Sequence, residues 1–119
     1  MDFRFQKAVC QWVNENGLIS DYDLVSLAGA QKALIDEDTR ETAMKQIELS
    51  SRLHGINTVI LVAHQDCGAY GGSEAFDSWE EEKNKYIEDM DKAEVIIKGK
   101  FSQLKIRKTI LTFDDEGET

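Results

Sequence analysis

The chain of 119 residues has no proline, only two cysteines and two histidines, and a deficit of positive charge. Each shortage excludes something. Two thiols, Cys10 and Cys67, are too few for a disulfide-built scaffold, and here they read as free thiols or a metal ligand. No apolar run approaches the ~20 residues of a membrane-crossing helix, and the opening residues do not read as a secretory signal. No membrane partner and a cytoplasmic location are therefore expected. Lys and Arg number 14 against 23 Asp and Glu, a net charge of −9. Nucleic-acid binding rests on neutralising phosphates, so no nucleic-acid partner is expected either. The missing proline has no functional reading.

What remains is an ordinary globular composition, 41% apolar and 31% charged, enough for one core and one domain over 1–119. Its organising stretch runs from Asn57 to Gly72. Val59-Ile60-Leu61-Val62-Ala63 is unbroken, aliphatic and too short for a helix, which predicts a parallel strand buried on both faces. His64 follows at once, Cys67 three residues later, then the turn residues Gly68, Gly71 and Gly72. Open α/β sheets bind ligands at the carboxyl ends of their strands. An imidazole and a thiolate meeting there have the softness and geometry to hold zinc.

Before this stretch, Val9, Trp12 and Val13 mark a helix over 6–16, stopped by Asn16-Gly17, with Cys10 expected inside it as a small buried hydrophobe. Tyr22-Asp23-Leu24-Val25-Ser26-Leu27 reads as a second short strand. A helix over about 39–53 follows, with Ala43, Met44, Ile47 and Leu53 as its inner stripe, acids at its start and Gly55 at its stop. His54 at its end reads as a dipole partner. Beyond the glycine loop, Trp79, Tyr86, Met90, Ala93 and Ile97 define the inner face of a charged helix over about 78–98. A last strand is expected over 108–113, preceded by a solvated basic connection of Lys105, Arg107 and Lys108 and closed by an acidic turn at Asp114-Asp115-Glu116-Gly117. Helices alternating with short strands predict an α/β three-layer sandwich, its short, mostly parallel sheet flanked by helices.

H-x-x-C-G at His64, Cys67 and Gly68 resembles the zinc-binding turn of the β-class carbonic anhydrases, closest to small, divergent carbonic anhydrase-like bacterial proteins. Asp2 and Arg4 are similar to that family's C-x-D-x-R motif, which places its cysteine just before Met1. Ala28-Gly29 matches the turn after its second strand. Ser26-Leu27-Ala28-Gly29-Ala30 departs from the family's R-N-A-G-N. The resemblance implies His64 and Cys67 as metal ligands to Zn2+, with Asp2 orienting a metal-bound hydroxide, Arg4 holding Asp2 ionised, and the Gly68 backbone close to the substrate. It further implies reversible hydration of CO2 to bicarbonate and a homo-oligomer, a dimer or larger. It leads one to expect a strand and a cysteine ligand ahead of Met1, with activity impaired in their absence. Two other readings stay open: a metal-free carbonic anhydrase-like binding or assembly module, and a CS2 or COS hydrolase with a similar zinc site.

Overall fold

The computed structural model describes residues 1–114. β1 (Thr58–His64) pairs in parallel with β2 (Lys105–Leu111), Val62 opposite Thr109 and His64 opposite Leu111. The strands alternate sides as pleating demands. Leu61 and Ala63 enter a large core, while Val62 enters a smaller one with Phe5, Ala8 and Leu111. Helix α1 (Gln6–Glu15) covers the smaller core. Helices α2 (Lys32–Ile35), α3 (Glu37–His54) and α4 (Trp79–Lys100) close over the larger. The result is a helix–sheet–helix α/β sandwich around two paired strands.

Local chemistry places the helix ends. Glu37 and Asp38 favour the positive start of α3, and Gly55 ends it in the left-handed conformation at φ 62°. In α4 the Ser78 hydroxyl accepts from the Glu81 N–H at 3.1 Å, three glutamates occupy the first turn, and Lys98 and Lys100 the last. Tyr86, Met90, Ala93 and Ile97 are buried as their spacing predicts, and Trp79 packs against them.

Several expectations need correction. Residues 22–27 form no strand: among the described residues β1 bonds only to β2, so the segment has no ladder to join, and Leu24 and Val25 stay exposed. Leu53 is exposed because it lies nine residues beyond Met44, about half a turn round the helix from the inner stripe. Cys10 is exposed for a similar reason, being roughly 200° round α1 from buried Ala8. The basic trio is no connection: it lies within β2, which starts three residues earlier than expected. There Lys108 binds Asp91 and Glu94 of α4, while Arg107 lies over the Trp12 ring. His54 sits at the α3 terminus as expected, but its Nδ1 meets Asp23 Oδ2 at 2.6 Å. Of the expected closing turn, Asp115, Glu116 and Gly117 lie outside the described residues.

Gly29 is tightly packed. At φ +81° an added Cβ would stand 2.9 Å from Lys32 Cβ and 3.1 Å from Ala69 Cβ. Gly29→Ala is therefore expected to cost about 1–3 kcal/mol, read as a lowered denaturant midpoint at unchanged slope.

Candidate active site

The end of β1 delivers His64 to an open groove, and the chain then turns sharply. Asp66 adopts φ +59°, which a short polar side chain tolerates by bonding locally. Its Oδ1 accepts from the Ser73 N–H at 2.7 Å, closing the loop on itself. Gly72, at φ +77°, leaves room for that oxygen, since a Cβ there would lie 2.9 Å from it. Cys67 sits between, buried, its carbonyl accepting from the Tyr70 and Gly72 N–H groups. Gly68 lines the same groove, but a Cβ on it would meet nothing among the described residues, whereas Gly29, Gly71 and Gly72 combine positive φ with a close neighbour and favour glycine.

The first residues reach the same place. Asp2 caps a single 3-10 turn at Phe3–Phe5 by accepting from the Arg4 N–H at 2.9 Å. The Arg4 guanidinium grips both Asp2 oxygens, with Nη2 2.6 Å from Oδ2. Its other face donates to Asp66 Oδ2 at 2.9 Å and to the Asp66 carbonyl at 3.0 Å. Arg4 thus ties the Asp2 carboxylate to the loop that carries Cys67. The structure brings all five expected residues, Asp2, Arg4, His64, Cys67 and Gly68, to one groove of about 610 Å³.

His64 is held on three sides. Its ring stacks on Phe5 at 4.6 Å, Nδ1 meets the Gln65 carbonyl at 2.8 Å, and Nε2 stands 3.7 Å from Asp2 Oδ2. A carbonyl on Nδ1 fixes the proton there and leaves Nε2 as the lone-pair donor, the usual state of a ligating histidine. Burial opposes charging of His64, yet the Cys67 sulfur and the Gln65 carbonyl, both acting as acceptors toward the imidazolium, hold its pKa above the ordinary value. Burial likewise opposes the Cys67 thiolate. The His64 contact and the Ala69 and Tyr70 backbone groups outweigh it and lower the thiol's pKa. The Arg4 side chain holds the Asp2 carboxyl down at about 2.

That last shift gives a test. Its stabilisation is fully present above the ordinary carboxyl value of 3.8 and is lost as pH falls through about 2. In Arg4→Met the Asp2 titration, followed by carboxyl NMR, is expected to rise toward 3.8, and the stability lost by wild type between pH 4 and 2 should shrink.

Sequence reasoning missed the layer beneath. Glu82 is buried, and its carboxylate accepts from the Asp66 N–H at 2.6 Å, the Ser73 hydroxyl at 2.7 Å and the Tyr86 hydroxyl at 2.6 Å. The Tyr86 oxygen in turn accepts from the Cys67 N–H at 3.3 Å. Glu82 and Asp89 fall at the spacing of the buried residues Tyr86 and Ala93, so two acids inside an apolar stripe were the available signal.

His64 and Cys67 have the donor chemistry of a zinc site. The count is short: among the described residues no group of three His, Cys, Asp or Glu side chains is placed to hold a metal. Both Asp2 oxygens are committed to Arg4. The described residues therefore provide two donors of the three that a catalytic zinc takes from protein.

Comparison with known proteins shows the family to which the chain belongs. The family described as "Putative carbonic anhydrase" matches residues 1–114. An uncharacterized protein of Rickettsia bellii is 35% identical over 120 residues, covering 96% of this chain and 73% of the relative. An uncharacterized protein of Rickettsia conorii is 33% identical over 120 residues, with 96% and 64% covered. This chain thus spans about two thirds to three quarters of the length of these relatives. No solved structure matches it. With the family matched across every described residue, and with its strand-end histidine and cysteine facing one groove, the chain belongs to the putative carbonic anhydrase family.

Proposed function

We propose that the groove is the site of a zinc lyase that interconverts CO2 and bicarbonate. The observation that carries this is the convergence of His64, Cys67 and an Arg4-locked Asp2 on a single groove at the carboxyl end of β1. His64 and Cys67 would hold the metal. Zinc supplies Lewis acidity, which makes water available as a base near neutral pH. Asp2, kept ionised, accepts a hydrogen bond from the reacting water and aims its lone pair at carbon. Arg4 holds Asp2 at that task and away from the metal, because both carboxylate oxygens are in its grip. Gly68 lines the substrate side of the groove. A cytoplasmic homo-oligomer completes the reading.

Elemental analysis of the purified protein is expected to find about one zinc per chain, and stopped-flow pH-indicator assays to show CO2 hydration. A specific observation favours the rival: two donors without a third suit a metal-free binding module. Purified protein without zinc, and inert when zinc is added, decides for that module. CS2 or COS hydrolysis by the same site is read from a substrate panel.

A further inference from the structure

Behind His64 and Cys67 lies a recess of about 30 Å³, and two runs of hydrogen bonds end at its wall. In the first, Lys85 holds Asp89 at 3.2 Å, Asp89 Oδ2 accepts the Tyr70 hydroxyl at 2.8 Å, and the Tyr70 oxygen accepts the Gln31 Nε2–H at 3.0 Å. In the second, Glu82 accepts the Tyr86 hydroxyl at 2.6 Å, and the Tyr86 oxygen accepts the Cys67 N–H at 3.3 Å. Gln31, Tyr70 and Tyr86 all line the recess. The first run fixes which way the Gln31 amide faces. Tyr70 has one hydroxyl hydrogen, and Asp89 takes it. Turning the amide over would set Asp89 and Gln31 Oε1 against that single hydrogen. Gln31 is fully buried, and its Oε1 has no hydrogen-bond partner among the described residues. Buried acceptors are normally satisfied, so this oxygen calls for a donor that the side chains do not supply. The Tyr86 oxygen has given one lone pair to Cys67 and has a second to offer.

We propose that the recess is a buried hydration site, in which one ordered water donates one hydrogen to Gln31 Oε1 and the other to the Tyr86 oxygen. A water needs ~10–15 Å³ of such space and about two to four polar partners, and the recess supplies both. Two acceptors on the wall select a small ligand that donates twice, and water is that ligand. It joins the two runs into one network, which leads from Lys85 through Asp89, Tyr70 and Gln31 to the backbone of Cys67. The floor under the Cys67 turn is thereby braced from a second side, in addition to Glu82. This inference concerns the chain's own polar atoms and stands apart from the zinc and CO2 reading.

The test is a crystal structure of the full chain without added metal, beside that of Gln31→Met, whose side chain has similar length but no acceptor. Wild type is expected to show a water peak about 2.5–3.0 Å from both Gln31 Oε1 and the Tyr86 oxygen. In Gln31→Met that peak should be lost. In solution, the held water gives nuclear Overhauser effects to the Val62 and Ala63 protons of the wall, and these should vanish in the variant. Effects relayed by the exchanging hydroxyls of Tyr70 and Tyr86 persist there, so the two sources are told apart. A dry recess in wild type overturns the proposal, as does a cation in place of the water or a Gln31 Oε1 bonded to a protein donor. A water that touches Gln31 but not Tyr86 overturns the bridge, and one that stays in Gln31→Met shows that Gln31 does not hold it. If Gln31→Met does not fold, the wild-type density decides alone.

Discussion

If the groove is the zinc lyase site proposed, alanine in place of His64 or Cys67 is expected to abolish zinc binding and return CO2 hydration to the uncatalysed rate. The geometry makes the expectation severe. The described residues bring only these two soft donors together, so neither has a neighbour that could take its place. Asp2, 3.7 Å from His64 Nε2, is the nearest candidate, but releasing it would break a bidentate pair with Arg4 and expose that guanidinium's partner-side charge. Zinc affinity should therefore fall well beyond the ~10–100-fold typical of changes in the groups that merely orient ligands. Cys67 is buried beneath the loop, and Cys67→Ser keeps its size while weakening the metal bond. Loss of zinc with an unchanged melting profile of the metal-free protein separates ligation from packing. Retained zinc and retained catalysis in both His64→Ala and Cys67→Ser would end the metal reading.

Much of this site was legible in the chain because local rules fix it. An unbroken aliphatic run next to a glycine turn reads as a strand, here buried at Leu61 and Ala63 and partly covered elsewhere, and the residues that follow it emerge at the strand's end. His64, Cys67 and Gly68 are placed by that logic alone. Asp2 and Arg4 became visible only through the family motif, since nothing local to the first four residues brings them to a groove 60 residues away. The bond from Arg4 to Asp66 is a tertiary fact. The segment 22–27 shows the opposite failure. Its composition suits a strand, but a strand exists only where another backbone completes its ladder, and β1 offers its described pairing to β2 alone. Leu53 and Cys10 are apolar residues that lie on the outer sides of their helices, and composition alone does not give a helix its phase. Gln31 gave no signal, because a buried amide is recognisable only by what surrounds it.

Glu82→Leu is expected to have the largest effect on stability of any single change away from the groove. Three donors converge on this carboxylate: the Asp66 N–H, the Ser73 hydroxyl and the Tyr86 hydroxyl. Leucine fills the space but strands all three, and the Tyr86 hydroxyl would lose the acceptor that orients it toward the Cys67 N–H. Each buried donor left unmade costs about 1–3 kcal/mol, so a combined loss of about 3–5 kcal/mol is expected after relaxation. For a domain of this size that lowers the melting temperature by roughly 10–20 °C. Glu82→Gln is the informative companion. Its amide oxygen can accept from both Asp66 and Tyr86, while its NH2 faces Ser73, whose hydroxyl can turn from donor to acceptor. Every group then stays partnered, and only the extra strength of bonds to a charge is lost, about 1–2 kcal/mol. Equal losses in the two variants would mean that the negative charge, and not the set of bonds, holds the loop. A near-neutral Glu82→Leu would show that the Cys67 turn stands without its floor. Between those outcomes the expected order is wild type, then Gln, then Leu, and under the zinc proposal metal affinity should fall in the same order, because this carboxylate bonds the Asp66 N–H just before Cys67 and the Ser73 hydroxyl beyond it.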